Sequence, residues 1–313
     1  MNSRTSPRSA SATHWTPDDI GDLTGLTALV TGGNSGIGLE TARVLARHGV
    51  RLILAGRDHG KLDMAVAELR GAQPDALLDT AVIDLSSLAS IAAATSRLAA
   101  SERLDLLFNN AGVMNVPERR TTADGFELTF GTNHLGHFAL TAGLLPALRR
   151  SPAARIVTVS AIAATWRVGR LNDLMSEQRY GAMRAYAKSK RANVVFTREL
   201  ARRLTGTNIM AVAVHPGSAM TNLQRHSQNL LSRAVIALTR NTAMGSPEGA
   251  AWPSLFAATD PDVVNGGFYG PAGRDQTSGT PKQVALPRGA DDPAEGARLW
   301  TESERLTGTG YAI

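Results

Sequence analysis

The sequence predicts an α/β fold in which one doubly wound parallel sheet carries helices on both of its faces. Short apolar runs alternate with longer segments of helical periodicity along the chain, and this alternation is typical of strand–helix–strand units. Several of the runs are almost purely apolar, including 52–55 and 156–159. Strands that are buried on both sides have this composition, so helices are expected to cover the whole sheet.

The predicted elements alternate in chain order. The candidate strands are the short apolar runs at 26–31, 51–55, 79–83, 104–108, 155–160, 208–214 and 266–269. The candidate helices lie between them, at 37–48, 60–71, 87–100, 125–149, 182–203 and 246–258. Longer connections at about 162–181 and 218–245 are expected to be elaborations of the sheet. The chain beyond about residue 273 is rich in glycine, proline and charge, and it is expected to wrap the surface.

Composition limits the classes of protein to which the chain can belong. Its 313 residues contain no repeat or long linker, so one domain is expected over 15–313, after a disordered tail at 1–14. The tail lacks the apolar stretch of a signal peptide. The absence of cysteine excludes disulfides and thiolate chemistry. No run approaches the roughly 18 apolar residues of a membrane span, and a soluble, cytoplasmic protein is expected.

The charge of the chain favours a small anionic ligand over nucleic acid. The formal net charge is +6, which suits phosphorylated cofactors. The basic residues are mostly arginines scattered along the predicted helices, and only 5% of the residues are aromatic. A nucleic-acid surface would instead interleave clustered basic and aromatic residues. No cluster with the spacing of metal ligands is present either.

A glycine-rich turn at 31–38 predicts a dinucleotide site. The turn follows an apolar strand and opens a helix at about Gly36. Gly32 can make the tight turn, Gly36 lets the backbone approach a diphosphate, and Gly38 lets the helix lie close to the sheet. The helix N-terminus then presents unpaired N–H groups to the phosphates. The intervening residues expected beside the phosphates are Asn34, Ser35 and Ile37.

The end of the second strand predicts which nicotinamide cofactor is bound. An acidic residue there would bind the ribose 2′-hydroxyl of NAD, but this chain has Gly56 and Arg57. A small residue leaves room for a 2′-phosphate, and a guanidinium can pair with it. NADP(H) is therefore favoured over NAD(H). Asp58 could orient Arg57, and the alternative is that Arg57 merely caps a loop.

Tyr186 and Lys190 form a candidate acid–base pair. They are four residues apart in a predicted helix and so share one face. A phenol has a pKa near 10 and is a poor acid or base at neutral pH, but an adjacent ammonium lowers that pKa. Such a pair can exchange a proton with a substrate oxygen. The alternative is a half-buried tyrosine beside a surface lysine.

These motifs, taken in order, resemble the short-chain dehydrogenase/reductase family over about residues 15–310. The glycine turn is followed by Asn-Asn-Ala-Gly at 109–112, Asn133, the Tyr186/Lys190 pair and His-Pro-Gly at 215–217. Finer matches resemble its retinol-dehydrogenase-like, or WW-domain-oxidoreductase-like, branch. These matching stretches are 54–58, 132–138, 189–193 and 267–271.

The resemblance implies a seven-stranded Rossmann sheet and reversible hydride transfer between a nicotinamide and a carbonyl/alcohol pair. It implies that Tyr186 is the general acid/base and that Lys190 lowers its pKa and holds the nicotinamide ribose. Asn133 would support a kinked helix and a proton-relay water. The partners implied are a small carbonyl or alcohol compound and, through the Tyr186 helix and the helix before it, a second copy in a homodimer or homotetramer.

The resemblance also assigns the rest of the cofactor cleft. Asn110, Ala111 and Gly112, after Asn109, would line the adenosine side and support the central strand. Asp84 and Leu85 resemble the segment that contacts adenine, although Asp84 could equally cap the next helix. The segment that cups the carboxamide would contain Pro216, Gly217 and Thr221.

One departure from the family concerns a catalytic serine that normally follows the fifth strand. This chain reads Val159-Ser160-Ala161, and the usual spacing from Tyr186 places Ala161 where the hydroxyl belongs. Neighbouring strand residues point to opposite faces, so Ser160 could replace it only through a bulge or a slip. Thr165 is another candidate. The chain could be an active reductase that uses Ser160 or a water, a slow enzyme, or a non-catalytic NADP-binding protein.

The substrate is predicted only by class. The two elaborations contribute apolar residues that would suit an apolar carbonyl compound if they face the cleft, and that otherwise close the core or a dimer surface. Those residues are Trp166, Val168, Leu171, Met175, Met183, Met220, Leu223, Leu230, Leu231 and Ile236. The segment 218–245 is expected to be a substrate lid. His134 and His137 are expected to be packing residues rather than catalysts or metal ligands.

Overall fold

A computed structural model of the protein describes residues 14–101, 103–166, 171–217 and 246–313. The expected tail, except His14, and the expected lid at 218–245 with Thr221 lie outside these residues. No helix in the described ranges is both long enough and apolar enough to cross a membrane.

One sheet organises the molecule. Its strands are β1 (Thr27–Thr31), β2 (Arg51–Gly56), β3 (Leu78–Val82), β4 (Leu106–Asn109), β5 (Ala154–Val159), β6 (Ile209–Val214), β7 (Phe268–Pro271) and β8 (Pro281–Gln283). They lie in the order 3-2-1-4-5-6-7-8. The first seven are parallel, which confirms the predicted Rossmann-type sheet, and β8, which the sequence analysis missed, pairs antiparallel with β7. The strand order reverses between β1 and β4, and ligands bind at such a switch point.

The helices flank this sheet. They are α1 (Gly36–Arg47), α2 (His59–Ala72), α3 (Leu88–Ser101), α4 (Leu128–Phe130), α5 (Gly136–Arg149), α6 (Ala182–Arg203), α7 (Pro247–Thr259) and α8 (Pro293–Thr307). A π-helical turn, Gly131–Leu135, joins α4 to α5 without a break. The helix predicted at 125–149 is therefore a shorter, bent element, and π-turns of this kind are frequent at functional sites.

Two hydrophobic layers cover the two faces of the sheet, as the alternation of side chains along a strand requires. Val30 of β1 packs into the layer that contains Leu45 of α1 and Leu255 of α7. Its neighbour Leu29 packs into the opposite layer, with Leu144 of α5 and others from α3 and α6. Apolar residues at consecutive strand positions are thus buried on opposite sides, which confirms the prediction that helices cover both faces.

The C-terminal helix α8 belongs to the core, so the expectation that the chain beyond about residue 273 wraps the surface was wrong for this helix. Trp300 of α8 is 2% exposed, and its ring lies 6.0 Å from that of Phe196 in α6. Tyr311 donates a 2.7 Å hydrogen bond to the Phe138 carbonyl of α5. The buried side of α8 includes glycine, serine and threonine as well as Leu299, and this mixture concealed its helical periodicity.

Candidate active site

A cleft opens over the carboxyl ends of the central strands and brings most of the predicted site residues together. The predicted residues that line it are Gly32, Asn34, Ser35, Gly36, Ile37, Gly38, Arg57, Asp84, Leu85, Asn110, Ala111, Gly112, Ser160, Tyr186, Lys190, Pro216 and Gly217. Asn133 lies fully buried beneath the wall. The cleft therefore connects the glycine turn to the Tyr186 helix.

The glycine turn is closed too tightly for any larger side chain at its key position. Gly32 and Gly36 have φ values of +66° and +55°, which favour glycine. A Cβ at Gly38 would lie 2.4 Å from the Gly32 carbonyl oxygen and 2.6 Å from Nδ2 of Asn110. Ser35, at the N-cap of α1, makes no side-chain capping bond. The first N–H groups of α1 are thus available to an anion.

Arg57 is an exposed cation at the cleft edge. Among the described residues, its guanidinium has no hydrogen bond or ion pair. Asp58 does not orient it, because the Asp58 carboxylate caps α2 by accepting a 3.1 Å bond from the Lys61 backbone N–H. A Cβ at Gly56 would come 3.0 Å from Oδ1 of Asn34. The end of β2 therefore offers a small residue and an available guanidinium, as a 2′-phosphate requires.

The adenosine side is built from side chains that fix loops. Asp84 accepts bonds from the Ser86 N–H at 2.9 Å and the Ser86 hydroxyl at 2.6 Å, so its carboxylate stabilises the turn before α3 while it lines the cleft. Asn110 donates a 2.7 Å bond to the Thr31 carbonyl. Asn109 is fully buried and donates to the Thr141 hydroxyl at 2.9 Å, which ties β4 to α5.

Asn133 links the π-turn to two other parts of the site. Its Oδ1 accepts a 2.7 Å bond from the Val113 N–H, and its Nδ2 donates to the Val113 carbonyl at 2.9 Å. The same Nδ2 donates to the Ser189 hydroxyl of α6 at 3.0 Å. The bent helix expected around Asn133 is present, and the relay water stays a prediction.

Lys190 and Tyr186 are buried on one face of α6. The Lys190 ammonium donates a 2.9 Å bond to the Val159 carbonyl and lies 5.8 Å from the centre of the Tyr186 ring. Burial lowers the pKa of Lys190 to about 8 and raises the pKa of Tyr186 to about 12. The sequence argument expected the ammonium to lower the tyrosine pKa. Burial dominates here because it disfavours the phenolate, so Tyr186 is held protonated at neutral pH.

The hydroxyl groups near the departure from the family are bound to backbone carbonyls. Ser160 donates a 2.7 Å bond to the Lys190 carbonyl, and the register of β5 on β6 continues regularly to Val159 without a bulge. Thr165 donates to the Ile162 carbonyl at 2.8 Å. Ala161 packs in the apolar cluster around Tyr186. A catalytic role for Ser160 stays a prediction, and it would require the bond to Lys190 to break.

The expected substrate residues divide into two groups. Trp166 and Met183 line the cleft and are 47% and 38% exposed. Leu171 and Met175 instead pack in a separate core cluster. Val168 and the expected residues between 220 and 236 lie outside the described ranges. Four apolar lining residues were not predicted from the sequence: Met114, Leu128, Ile162 and Ala163. Met114 lies two residues after the Asn-Asn-Ala-Gly motif, and that proximity was a usable signal.

The Pro216–Gly217 end of the cleft is held by a segment near the C-terminus. Gly217 has a φ of +75°, and a Cβ there would lie 2.3 Å from the Thr277 carbonyl oxygen. His215 is within 2.9 Å of Oε1 of Gln276, and its Nδ1 accepts a bond from the Gly217 N–H at 3.3 Å. Burial lowers the pKa of His215 to about 4. A neutral ring with its proton on Nε2 satisfies both contacts.

Comparison with known proteins gives consistent matches. A family model described as short chain dehydrogenase matches residues 26–230. Retinol dehydrogenase 14 of Mus musculus is 41% identical over 306 residues, which cover 93% of this chain and 88% of that protein. An uncharacterized protein from Mycobacterium Paratuberculosis has a solved structure with a TM-score of 0.77 and 38% identity, covering 96% of this chain and 99% of that chain. The Pseudomonas aeruginosa RhlG/NADP active-site complex has a TM-score of 0.64 and 28% identity, covering 79% and 94%.

Proposed function

The chain belongs to the short-chain dehydrogenase/reductase family, and we propose that it is an NADP(H)-dependent reductase of apolar carbonyl compounds with Tyr186 as its acid/base. The observation that carries the proposal is the buried Tyr186–Lys190 pair on one face of α6, in the same cleft as the glycine turn. A fold alone would not support a reaction, because function depends on the site.

The described residues fit a nicotinamide dinucleotide. The N–H groups at the start of α1 would hold the diphosphate. Gly38 and Gly112 keep side chains out of this part of the cleft, which we call the cofactor cradle. A Cβ at Gly112 would lie 3.4 Å from the Lys190 ammonium. Of the three protons on that ammonium, one is donated to Val159. The other two are free to hold ribose hydroxyls.

The preference for NADP(H) rests on Arg57. Its guanidinium is exposed at the end of β2 and has no partner among the described residues, and Gly56 beside it is small. A charge-assisted pair with a 2′-phosphate is stronger than a neutral hydrogen bond. The name of the RhlG/NADP complex, at 28% identity, agrees with this preference.

The proposed chemistry follows from the proton on Tyr186. When bound, the reduced nicotinamide supplies the hydride to the carbonyl carbon. Tyr186 donates its phenolic proton to the substrate oxygen as that oxygen gains negative charge. Because burial raises the pKa of Tyr186 to about 12, the proton is present at neutral pH. Lys190 then stabilises the phenolate that remains.

The substrate class follows from the lining of the cleft near Tyr186. The side chains there are apolar and two of them, Trp166 and Met183, are partly exposed to the cleft entrance. Such a surface suits an extended apolar aldehyde or ketone. The relatives named retinol dehydrogenase make retinal one member of a suitable substrate panel.

One observation favours a second candidate function, a catalytically impaired NADP-binding sensor or partner-binding protein. The methyl group of Ala161 packs in the cluster around Tyr186, where the family normally supplies a hydroxyl to the substrate oxygen. Losing one donor to a developing oxyanion typically costs about 10²–10³ in rate. A cost of that size slows a reductase without abolishing its chemistry.

The deciding experiment is NADPH consumption with a panel of aliphatic aldehydes, ketones and retinal, measured for the wild type and Tyr186→Phe. We expect turnover in the wild type that Tyr186→Phe lowers at least about a hundredfold, since general acid catalysis typically contributes 10²–10⁴. NADPH affinity, measured by fluorescence titration, should remain within about threefold because Phe keeps the ring. Tight NADPH binding without transfer to any carbonyl in the panel would favour the sensor.

A further inference from the structure

Two buried histidines lie one helical turn apart at the start of α5, and their surroundings differ. His134 belongs to the π-turn and His137 to the first turn of α5; each is 1% exposed. Burial lowers the pKa of His134 to about 3 and that of His137 to about 4, so both rings are neutral at physiological pH. The mechanism above uses neither of them.

His137 bridges the glycine turn and the π-turn. Its Nε2 lies 3.0 Å from Oγ1 of Thr31, the last residue of β1. Its Nδ1 lies 3.0 Å from the backbone carbonyl oxygen of Asn133. Thr31 and His137 are 106 positions apart in the chain. The imidazole thus joins the end of β1 to the π-turn that directly precedes its own helix.

The Thr31 hydroxyl joins the start of the glycine turn to the Asn110–Ala111 loop. It accepts the backbone N–H of Asn110 at 2.8 Å and that of Ala111 at 3.0 Å. These two bonds use both of its lone pairs. Its single proton is therefore shared between the Phe108 carbonyl and Nε2 of His137, both at 3.0 Å.

The hydrogen-bond partners fix the tautomer of His137. A carbonyl oxygen only accepts, so the atom that faces Asn133 must be a protonated Nδ1. In the neutral ring the lone pair of Nε2 is then free, and it accepts a hydrogen bond from the Thr31 hydroxyl. Every polar atom of the imidazole is satisfied in this arrangement, and exchanging the proton between the nitrogens would leave a lone pair facing a carbonyl.

We propose that His137 is a positioning residue that holds the Thr31 end of the cofactor cradle at a fixed distance from Asn133 and, through Asn133, from α6. Asn133 carries the connection onward by its bonds to Val113 and to Ser189, which is next to Lys190. The inference rests on the proposed function. In this proposal, the His137 side chain keeps a bound cofactor aligned with the Tyr186–Lys190 pair.

His134, three residues earlier in the adjoining π-turn, provides a control of similar burial. Its Nε2 lies 3.0 Å from the Ser303 hydroxyl of α8, and its ring packs 5.0 Å from that of Phe130. Ser303 donates its own proton to the Leu299 carbonyl, so His134 donates to Ser303. His134 thus ties the π-turn to the C-terminal helix. It matches His137 in burial, and its bond runs to α8 instead of to Thr31.

The test compares four variants by kcat, by the dissociation constant for NADPH and by melting temperature. The variants are His137→Leu, His137→Gln, His137→Asn and His134→Leu. The glutamine amide can place its oxygen near the position of Nε2 and keep the Thr31 contact. The asparagine amide can place its nitrogen near the position of Nδ1 and keep the Asn133 contact. If His137→Leu does not fold, the two amide variants carry the comparison.

We expect both leucine variants to lower the melting temperature, and only His137→Leu to lower kcat, by about 10²-fold, as misplacement of reacting groups by about 1 Å can do. His137→Asn should weaken NADPH binding more than it lowers kcat, and His137→Gln should do the reverse. The kcat of His134→Leu should stay within about threefold of the wild type.

A parallel loss of kcat in both leucine variants, or an unchanged kcat and NADPH affinity in His137→Leu, would overturn the inference. The wild type could also bind NADPH and reduce no carbonyl. If His137→Leu and His137→Asn then weakened NADPH binding while His134→Leu did not, the proposed reduction would fail, and the connection from His137 to the cradle would stand.

Discussion

The two ends of the cleft are built in different ways. The cofactor end is made mostly of backbone and glycine. Its contacts are so close that one added carbon atom would collide: a Cβ at Gly38 would lie 2.4 Å from the Gly32 carbonyl oxygen. The end near Tyr186 is lined by apolar side chains from helices and short connections, and two of them, Trp166 and Met183 of α6, are partly exposed. In the part of the chain that the structure describes, the space beside the glycine turn is therefore fixed more closely than the space beside Tyr186.

The hydroxyl groups of the two ends show the same difference. At the cofactor end, the Thr31 hydroxyl makes four contacts that join β1 to the Asn110–Ala111 loop, to Phe108 and to His137. At the end near Tyr186, the hydroxyls of Ser160 and Thr165 bond to local backbone carbonyls. Ala161 contributes a methyl group to the cluster around Tyr186. The Thr31 hydroxyl thus uses all of its hydrogen-bonding capacity within the structure, while Ala161 presents only a methyl group beside Tyr186.

Of the changes that test this difference between the two ends, Ala161→Ser has the largest expected effect, because it would supply the hydroxyl donor that the family normally places there. A hydroxyl that stabilises the developing charge on the substrate oxygen should raise kcat by about 10²-fold. The measurement is steady-state NADPH consumption with the best aldehyde of the panel. The matched control is Ala163→Ser, which adds a hydroxyl two residues further along in the same cluster. An equal gain in both variants, or none in Ala161→Ser, would show that the missing hydroxyl does not limit the rate.

The same contrast explains how much the sequence could predict. Some features depend on local spacing and periodicity, and these could be predicted from the sequence. They are the glycine turn, the seven parallel strands and the Tyr186–Lys190 pair. The role of His137 depends on Thr31, 106 positions away, and no local pattern carries such a contact. Strand β8 was not predicted because it has only three residues, and only one of their side chains is buried. The direction of the Ser160 hydroxyl depends on how α6 packs on β5.

Gly38→Ala tests how narrow the cofactor end is. The added methyl group would collide with the Gly32 carbonyl and the Asn110 amide, and such overpacking typically costs about 1–3 kcal/mol. We expect a lower free energy of unfolding, measured in urea, and NADPH binding weakened by at least about tenfold.

Gly71→Ala is the control, because nothing lies within 4 Å of its Cβ position near the end of α2. It should stabilise the protein by up to about 1 kcal/mol through helix propensity. Unchanged NADPH affinity in Gly38→Ala would mean that the turn can rearrange and that the cofactor end is not as constrained as proposed.

The smallest effect is expected from Arg57→Ala, and it concerns a single phosphate. Hydrogen bonds to charged groups contribute about 1.5–3 kcal/mol, or roughly tenfold to a hundredfold in affinity, and an exposed guanidinium belongs near the lower limit because solvent screens it. NADPH binding should therefore weaken by about tenfold, while NADH binding should stay within about twofold because NADH lacks the 2′-phosphate.

Lys61→Ala is the matched control, since Lys61 is a nearby cation that pairs with Asp58 at 3.7 Å. Fluorescence titration with both cofactors separates the possibilities. An equal loss of NADPH and NADH affinity in Arg57→Ala would indicate that Arg57 stabilises the loop rather than the phosphate, and the specificity of the cofactor end would then have to arise from Asn34 and its neighbours in the glycine turn.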